Sequence, residues 1–252
     1  MTIKAILFDK DGTLIDFDAT WGPAAYEVMR SLAGGDGAKL ARLIDVSEYV
    51  EETRSFRPSS PLVGGSSAEY GPLWAWALGR EPGPDLYAEM DDHFRHWGLK
   101  SLAPIGDPAA ILSELAASGL ALGIATNDAE ASARAQVEAM GLVGLLDFIV
   151  GYDSGFGGKP DPGMVIAFAD HHRLATNEIA LVGDSLHDLW AARAAGAIAV
   201  AVLTGPRKRD AEAELQPHAD HVLGSIAELP AFLKALAAKR RPDATGSGIQ
   251  GR

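Results

Sequence analysis

The chain has 252 residues, of which 47% are hydrophobic and 22% are charged, as in a soluble globular protein with one large domain or a core carrying an insert. Its net charge of -12 argues against general nucleic-acid binding, because no basic surplus exists to neutralise phosphates. The absence of cysteine excludes disulfides and thiolate catalysis. With no signal-peptide core and no apolar run long enough to span a membrane, we expect a cytoplasmic protein that binds no membrane.

Short apolar runs alternate with amphipathic helical patterns along most of the chain. Runs such as ALGIAT, IALVGD and AIAVAVL are apolar throughout, which is typical of strands buried on both faces of a sheet. The alternation predicts an α/β fold with a Rossmann-like parallel sheet and right-handed crossovers. The predicted strands cover residues 4–9, 121–127, 147–151, 179–184, 197–203 and, more weakly, 221–223, and the predicted helices cover 107–118, 129–140, 163–173, 186–195 and 226–238.

The segment from about Phe17 to Trp97 departs from this alternation, since it contains no convincing strand. Its helical patterns are separated by the breakers GGDG, PSSPLVGG and EPGP. A separate tandem domain is the alternative, but it is disfavoured because the sheet pattern is interrupted after a single strand. These patterns cover residues 24–33, 38–54, 67–79 and 85–97.

This reading predicts three parts of the chain. Residues 1–16 and 100–238 form the α/β core domain, and residues 17–99 form an inserted all-helical domain. Residues 239–252 lack apolar periodicity, so we predict a disordered tail there.

The first strand ends in the stretch DKDGT. It delivers Asp9 to the carboxyl edge of the sheet, with Asp11 on the same side of the turn and Gly12 allowing a tight backbone path. One carboxylate of such a pair can attack phosphorus, while the other protonates a leaving alcohol and later deprotonates water. A solvated acidic turn is the alternative, and these residues alone do not decide between the two.

The second strand runs into a helix through Thr126, Asn127 and Asp128. A hydroxyl and a backbone N–H at a helix start are good donors to phosphoryl oxygens. Simple capping of the helix by these side chains is the alternative.

A loop rich in glycine and proline, GYDSGFGGKPDPG, follows the third strand and contains Lys159. A lysine in that position can neutralise a transferring phosphoryl group and keep a nucleophilic aspartate ionised. The alternative is an ordinary surface lysine.

The fourth strand ends in Gly183, Asp184 and Ser185, and Asp188 lies one helical turn after Asp184. Two carboxylates on one side of a cleft suit Mg²⁺, which binds one or two carboxylates together with substrate phosphate. Capping by Asp184 or Ser185, with a solvated Asp188, is the alternative, but it leaves the repulsion between neighbouring acids uncompensated.

All four polar clusters follow strands of one predicted parallel sheet. In such sheets the carboxyl ends meet at one edge, where ligands bind. The four clusters, in this order, therefore predict one phosphoryl-transfer site.

With these motifs in place, residues 4–238 closely resemble the haloacid dehalogenase superfamily, on its phosphatase side. The D-x-D-G-T motif of that superfamily matches residues 9–13, and its G-D-[ST]-x-x-D motif matches residues 183–188. The strand-ending Thr or Ser matches Thr126, and the Lys before Pro matches Lys159. The resemblance implies a core of this family's fold with a cap domain, here the insert, between the first and second motifs.

The resemblance also assigns roles to these residues. Asp9 would be the nucleophile and Asp11 the general acid/base, and the phosphoryl group would be bound by Thr126, Asn127 and Lys159. The implied cofactor is Mg²⁺, whose ligands would be the Asp9 carboxylate, the Asp11 backbone carbonyl and Asp184, with Asp188 assisting directly or through water.

Within the superfamily, Asp11 disfavours a dehalogenase, and the residues after the first motif favour a phosphatase over a phosphomutase. The chain most resembles the phosphoglycolate phosphatase-like group, so the implied partner is a small phosphorylated metabolite such as phosphoglycolate or a sugar phosphate. A phosphotransferase or phosphomutase, and a non-catalytic binding module, remain alternatives; monomer and homodimer stay open. Candidate substrate contacts in the insert are Trp21, Arg54, Arg57 and the loop 61–65.

Overall fold

A computed structural model describes residues 2–206 and 211–238 of the chain. The predicted tail, residues 239–252, lies outside these described residues. None of the described helices is long and apolar enough to cross a lipid bilayer.

The chain starts with the buried apolar strand β1 (Ala5–Phe8) and then leaves the sheet. Up to Lys100 it then forms four helices and a small antiparallel hairpin. These elements are α1 (Phe17–Ala33), α2 (Gly37–Val46), the hairpin strands β2 (Tyr49–Val50) and β3 (Ser55–Phe56), α3 (Ser67–Leu78) and α4 (Pro84–Lys100).

The hairpin corrects two sequence expectations, a single helical pattern over 38–54 and an insert without strands. Helix α2 ends at Val46, and Glu48 then adopts a left-handed φ of 48°, which breaks the helical path. Tertiary packing accounts for the change: the Tyr49 hydroxyl donates to the carbonyl of Gly22 at 2.8 Å, and its ring meets Phe56 edge-on at 5.4 Å. A local helical pattern is overridden by these contacts.

The rest of the chain alternates helices and strands, as the sequence predicts. Five of the six sheet strands are one or two residues shorter than predicted, and the strand 221–223 has its predicted bounds. These elements are α5 (Pro108–Ala117), β4 (Ala121–Ala125), α6 (Glu130–Ala139), β5 (Phe148–Val150), α7 (Gly163–His172), β6 (Ile179–Gly183), α8 (Leu186–Ala195), β7 (Ile198–Val202), α9 (Ala211–Leu215), β8 (His221–Leu223) and α10 (Leu229–Ala238).

The six strands outside the hairpin form one sheet in the order β5-β4-β1-β6-β7-β8, and every neighbouring pair is parallel. Phe8, the last residue of β1, is paired with Ile124 of β4 on one side and Val182 of β6 on the other. Separate apolar clusters cover the two faces of the sheet. The α/β fold class is therefore confirmed, and the carboxyl ends of β4, β1 and β6 lie side by side.

Helices α1–α4 and the hairpin surround a third apolar cluster, whose centre is the fully buried Trp74. The Trp74 indole Nε1 donates to the hydroxyl of Ser47 at 3.0 Å, so the one polar atom of this large side chain is satisfied. The insert therefore has an apolar core of its own, separate from the two clusters on the sheet. This supports the predicted domain boundaries at 16/17 and 99/100, which stay a prediction.

Candidate active site

A pocket of about 280 Å³ opens at the carboxyl edge of the sheet, where α1, α3, α4 and the hairpin face the strand ends. Its core wall carries residues from all four predicted motifs, and its other wall comes from the insert. The motif residues at the core wall are Asp9, Asp11, Thr126, Asn127, Lys159 and Asp184.

Strand β1 positions Asp9 through the ladder of the sheet. The Asp9 backbone N–H donates to the carbonyl of Val182 at 2.8 Å, which extends the β1–β6 pairing by one residue. Gly12 then turns the chain with φ of 76°, and a Cβ at that position would lie 2.4 Å from Asp184 Oδ2. Because glycine has no Cβ, the DKDGT turn can lie directly against Asp184, which brings the first and fourth motifs into contact.

Lys159 lies between two buried carboxylates. Its Nζ donates to Asp9 Oδ1 at 2.5 Å and to Asp188 Oδ1 at 2.7 Å. Burial favours the neutral amine, but Asp188 and Asp9 outweigh that effect and raise the pKa of Lys159 above its ordinary value. The lysine is therefore a fixed cation beside Asp9.

Burial has the opposite effect on Asp9. It raises the pKa of the Asp9 carboxyl to about 7, a shift that Lys159 opposes and that Asp188 and Asp11 increase. Ionisation of Asp9 thus depends on cations close to it, of which Lys159 is one.

Asp188 is fully buried, not solvated, and both of its carboxylate oxygens have partners. Oδ1 accepts from Lys159, while Oδ2 accepts from the Ser185 hydroxyl at 2.6 Å and the Ser185 backbone N–H at 3.1 Å. The second arrangement is a capping box at the start of α8. The residue therefore fixes both the lysine and the helix.

Three carboxylates meet at this edge. One oxygen each of Asp9, Asp184 and Asp188 lies within 4.8 Å of the others, which forms an acidic group able to hold a metal ion. Burial, followed by repulsion from Asp9 and Asp188, raises the pKa of Asp184 well above its ordinary value. Such a set of oxygen donors suits a hard divalent cation, whose charge would relieve the repulsion.

Asp11 is held by three donors from different elements. Lys10 Nζ lies 2.8 Å from Asp11 Oδ2, the Thr126 hydroxyl donates to Oδ2 at 3.4 Å, and the Trp21 indole Nε1 donates to Oδ1. Lys10 is fully buried and also pairs with Asp128 Oδ2 at 3.0 Å. The carboxyl group that we predict to move protons is thus fixed in orientation.

Lys10 and Asp128 are site residues that the sequence analysis missed. Lys10 occupies the variable position of D-x-D, and Asp128 was considered only as a helix cap. The sequence did contain a signal for Lys10. A lysine between two aspartates at the end of a buried strand places a positive charge at the same edge of the sheet as the acidic residues.

The Asn127 side chain joins three segments of the chain. Its Nδ2 donates to the carbonyls of Lys159 and Gly64, both at 2.9 Å, and its Oδ1 accepts from the Lys159 backbone N–H at 2.8 Å. Gly64 belongs to the insert loop 61–65, so this amide links the lysine loop of the core to the insert.

The predicted substrate contacts of the insert, Trp21, Arg54, Arg57 and the loop 61–65, lie in different places. Residues 62–65 of that loop line the pocket. Trp21 lines the pocket, with its ring buried against Phe94 and its Nε1–H directed at Asp11. Arg54 and Arg57 are exposed on and after the hairpin and are not among the pocket-lining residues. The structure therefore brings together the core motifs and Trp21, and leaves the two arginines outside.

A family model described as haloacid dehalogenase-like hydrolase matches residues 3–196 of this chain. The chain belongs to the haloacid dehalogenase-like hydrolases.

Curated relatives of this haloacid dehalogenase-like hydrolase include two proteins named phosphoglycolate phosphatase. The one from Rhodospirillum rubrum is 30% identical over 220 residues, which is 84% of each chain. The one from Thiobacillus denitrificans is 30% identical over 233 residues, covering 90% of this chain and 94% of the relative. The predicted membership of the superfamily and the predicted phosphatase activity are therefore confirmed.

The fold of this haloacid dehalogenase-like hydrolase also matches solved structures. A predicted phosphoglycolate phosphatase from Haemophilus somnus superposes with a TM-score of 0.69 at 20% identity, covering 92% of this chain and 98% of that one. At this identity the likeness establishes the fold alone.

The insert wall of the hydrolase pocket is largely aromatic, which the sequence analysis did not predict. Its rings come from α1, the hairpin, α3 and α4. In the sequence of an amphipathic helix, an apolar residue that faces a ligand pocket has the same spacing as one that faces the core, so the pattern does not distinguish the two. The lining aromatic residues of the insert are Phe17, Trp21, Phe56, Tyr70 and Phe94.

Proposed function

We propose that this protein is a Mg²⁺-dependent phosphatase that hydrolyses the phosphomonoester of a small metabolite through an aspartyl-phosphate intermediate on Asp9. The observation that carries this proposal is the contact of Lys159 Nζ with Asp9 Oδ1 at 2.5 Å, inside a group of three carboxylates. A nucleophile beside a fixed cation, with a second carboxyl group nearby, is what phosphoryl transfer to aspartate requires.

In the first step the ionised Asp9 carboxylate attacks phosphorus, and the bond between phosphorus and the alcohol oxygen breaks. Asp11 donates its proton to that oxygen, so the alcohol leaves neutral. The hydroxyl of Thr126 and the ammonium of Lys159 bind the phosphoryl oxygens, with Asn127 holding the lysine loop in place.

In the second step water attacks the phosphorus of the aspartyl phosphate. Asp11, now ionised, takes a proton from this water, the bond between phosphorus and the Asp9 oxygen breaks, and inorganic phosphate leaves. Asp9 and Asp11 return to their starting states, so the cycle consumes only ester and water. The bonds of Asp11 with Lys10 and Trp21 keep its carboxyl group oriented in both steps, while the single proton of the Thr126 hydroxyl turns from Asp11 to the phosphoryl oxygen when substrate binds.

The acidic group fits the proposed metal. Asp9 and Asp184 would hold Mg²⁺ together with the Asp11 backbone carbonyl, and Asp188 would support the site through its bonds with Lys159 and Ser185. When bound, Mg²⁺ neutralises phosphoryl charge and favours ionised Asp9.

The test is release of inorganic phosphate from p-nitrophenyl phosphate and from a panel of phosphorylated metabolites that includes phosphoglycolate and sugar phosphates. We expect turnover by wild type with Mg²⁺, loss of turnover with EDTA, and at least about a thousandfold lower kcat for Asp9→Asn. Asp170→Asn, at an exposed aspartate of α7, is the matched control and should behave as wild type. The proposal fails if wild type hydrolyses no ester of the panel, or if Asp9→Asn retains full activity.

A further inference from the structure

The insert wall of the pocket offers rings in mutual contact, not charges. Trp21 meets Phe94 edge-on at 5.9 Å, and Phe17 meets Phe56 at 5.7 Å between ring centroids. Phe94 also contacts the ring of Tyr70 at 6.3 Å. An array of aromatic faces and edges of this kind binds apolar groups, and above all other rings, by burial and by stacking.

Positive charge is scarce among the described residues that line the same pocket. Among the lining residues that the structure describes, Lys159 is the only lysine or arginine, and its Nζ is already shared between Asp9 and Asp188. The pocket is also lined by further acidic side chains beyond the nucleophile: Asp184, and the pair Asp11 and Asp128, which share the ammonium of Lys10.

These charges disfavour a substrate that has a second anionic group. A carboxylate on the leaving alcohol would lose its water in the pocket, where the lining residues that the structure describes offer no second lysine or arginine, and it would lie near several carboxylates. An uncharged leaving group does not have this cost.

The volume limits the size of the leaving group. Sites for drug-sized ligands span roughly 300–1,000 Å³. The pocket, at about 280 Å³, lies just below that range, so it fits a phosphate with one small ring and not a dinucleotide.

We propose that the substrate is a small phosphomonoester whose leaving group is an uncharged, ring-bearing alcohol seated against Phe17, Trp21, Phe56 and Phe94. This inference rests on the phosphatase function proposed above and narrows it. It separates this chain from an enzyme for phosphoglycolate, whose leaving group carries a carboxylate.

The experiment compares kcat/KM for three alkyl phosphates: benzyl phosphate, 4-carboxybenzyl phosphate and phosphoglycolate. In all three the scissile oxygen is bonded to a CH₂ group, so differences report recognition more than leaving-group reactivity. We expect benzyl phosphate to exceed each of the other two at least tenfold. The proposal is overturned if phosphoglycolate equals or exceeds benzyl phosphate, or if the added carboxylate has no effect.

Variants test whether the rings cause the preference. Phe56→Ala, at a half-buried position of the hairpin, should lower the ratio of kcat/KM for benzyl phosphate over phosphoglycolate at least fivefold. Trp76→Ala, at a tryptophan that is 66% exposed on α3, is the control and should leave the ratio unchanged. An unchanged ratio in folded Phe56→Ala would overturn the assignment.

Three basic residues, Arg207, Lys208 and Arg209, lie outside the described residues but follow the lining residue Pro206 in sequence. Their joint replacement by alanine should leave the ratio unchanged, and a selective loss of phosphoglycolate turnover would overturn the proposal. Absence of turnover with every ester, p-nitrophenyl phosphate included, would instead overturn the phosphatase function itself and this inference with it.

Discussion

The two walls of the pocket are built in different ways. The core wall consists of polar and charged side chains at the ends of β1, β4 and β6, which pair with one another in the sheet, and ion pairs join Asp9 to Lys159 and Asp11 to Lys10. The insert wall consists of rings on helices and a hairpin, held by packing in a separate apolar cluster. The comparison suggests that the core wall determines the reaction, cleavage of a phosphate ester bond, and that the insert wall determines which substrate is selected.

The largest expected effect is at the centre of the core wall. Lys159→Met removes the cation shared by Asp9 and Asp188 and leaves both carboxylates buried without it. We expect kcat to fall about a thousandfold or more, and the free energy of unfolding to fall by about 3–5 kcal/mol because breaking a buried ion pair leaves an uncompensated charge. Phosphate release and urea unfolding measure the two effects; a variant with normal kcat would show that the core wall does not determine the chemistry.

Trp21 belongs to both walls, because its ring packs with the insert while its Nε1–H donates to Asp11. Trp21→Phe keeps a ring and removes the donor. We expect kcat to fall about 10- to 100-fold, since a hydrogen bond to a charged group contributes roughly 1.5–3 kcal/mol.

The kinetic constants for benzyl phosphate distinguish the two functions of Trp21. A fall in kcat with little change in KM would indicate loss of Asp11 orientation, whereas a rise in KM alone would place Trp21 entirely in the apolar wall. Leu73→Ala, at a leucine that is 44% exposed on α3, is a control that should change neither constant.

Asn127 links the walls, so its replacement weakens the connection between them. Asn127→Asp keeps the acceptor for the Lys159 backbone N–H but removes the Nδ2 donor to Gly64 and to the Lys159 carbonyl. We expect a loss of about 1–3 kcal/mol in the free energy of unfolding, the cost of unsatisfied buried carbonyls.

The same variant should also expose the loop 61–65, where Gly64 lies. Limited proteolysis would measure this as faster cleavage near that loop at unchanged temperature. Equal cleavage rates in wild type and Asn127→Asp would show that the amide does not hold the insert against the core.

The smallest effect concerns Asp91, another link between the two parts. Its carboxylate on α4 accepts from the Tyr152 hydroxyl of the core at 2.6 Å and from the Ser67 hydroxyl of the insert at 2.5 Å. Burial raises its pKa from 3.8 to about 6, and these two hydrogen bonds oppose the shift.

The sign of the resulting pH dependence follows from linkage. Between pH of about 4 and 6 the folded state holds more protons at this site than the unfolded state, so the contribution of Asp91 to stability falls as the pH rises through that range. Relative to Asp91→Asn, wild type should lose stability from pH 4 to pH 6 and change no further above it. Urea unfolding at several pH values measures this difference, with exposed Asp92→Asn as the control; a flat difference would contradict the assignment.

The sequence analysis predicted the sheet and the core motifs because both depend on local rules. An apolar strand buried on both faces has a distinct pattern, and parallel pairing brings the residues after each strand, such as Asp9 and Asp184, to one edge. Predictions were poorer where side chains from distant segments choose the outcome. Tyr49 converts part of a helical pattern into a hairpin by bonding Gly22, and Lys10 pairs not only with the adjacent Asp11 but also with Asp128, more than a hundred residues away.

The aromatic insert wall of the pocket could not be predicted from the sequence for a related reason. Phe56 and Phe94 have the same apolar character as Trp74, which lies at the centre of the insert cluster with no exposed surface. Which rings face a cavity depends on how α1, α3 and α4 cross, and no local pattern records those crossings.

The sheet order also has a consequence for folding during synthesis on the ribosome. Strand β1 is the first to be synthesised, yet its two neighbours, β4 and β6, begin only at Ala121 and Ile179. A nascent chain on the ribosome therefore carries Asp9 and Asp11 long before Thr126, Lys159 and Asp188 exist. If the insert, which has its own apolar cluster, is a separate domain as we predict, it folds during this interval, and synthesis yields a folded insert on a tethered, catalytically inert strand until α8 has been translated.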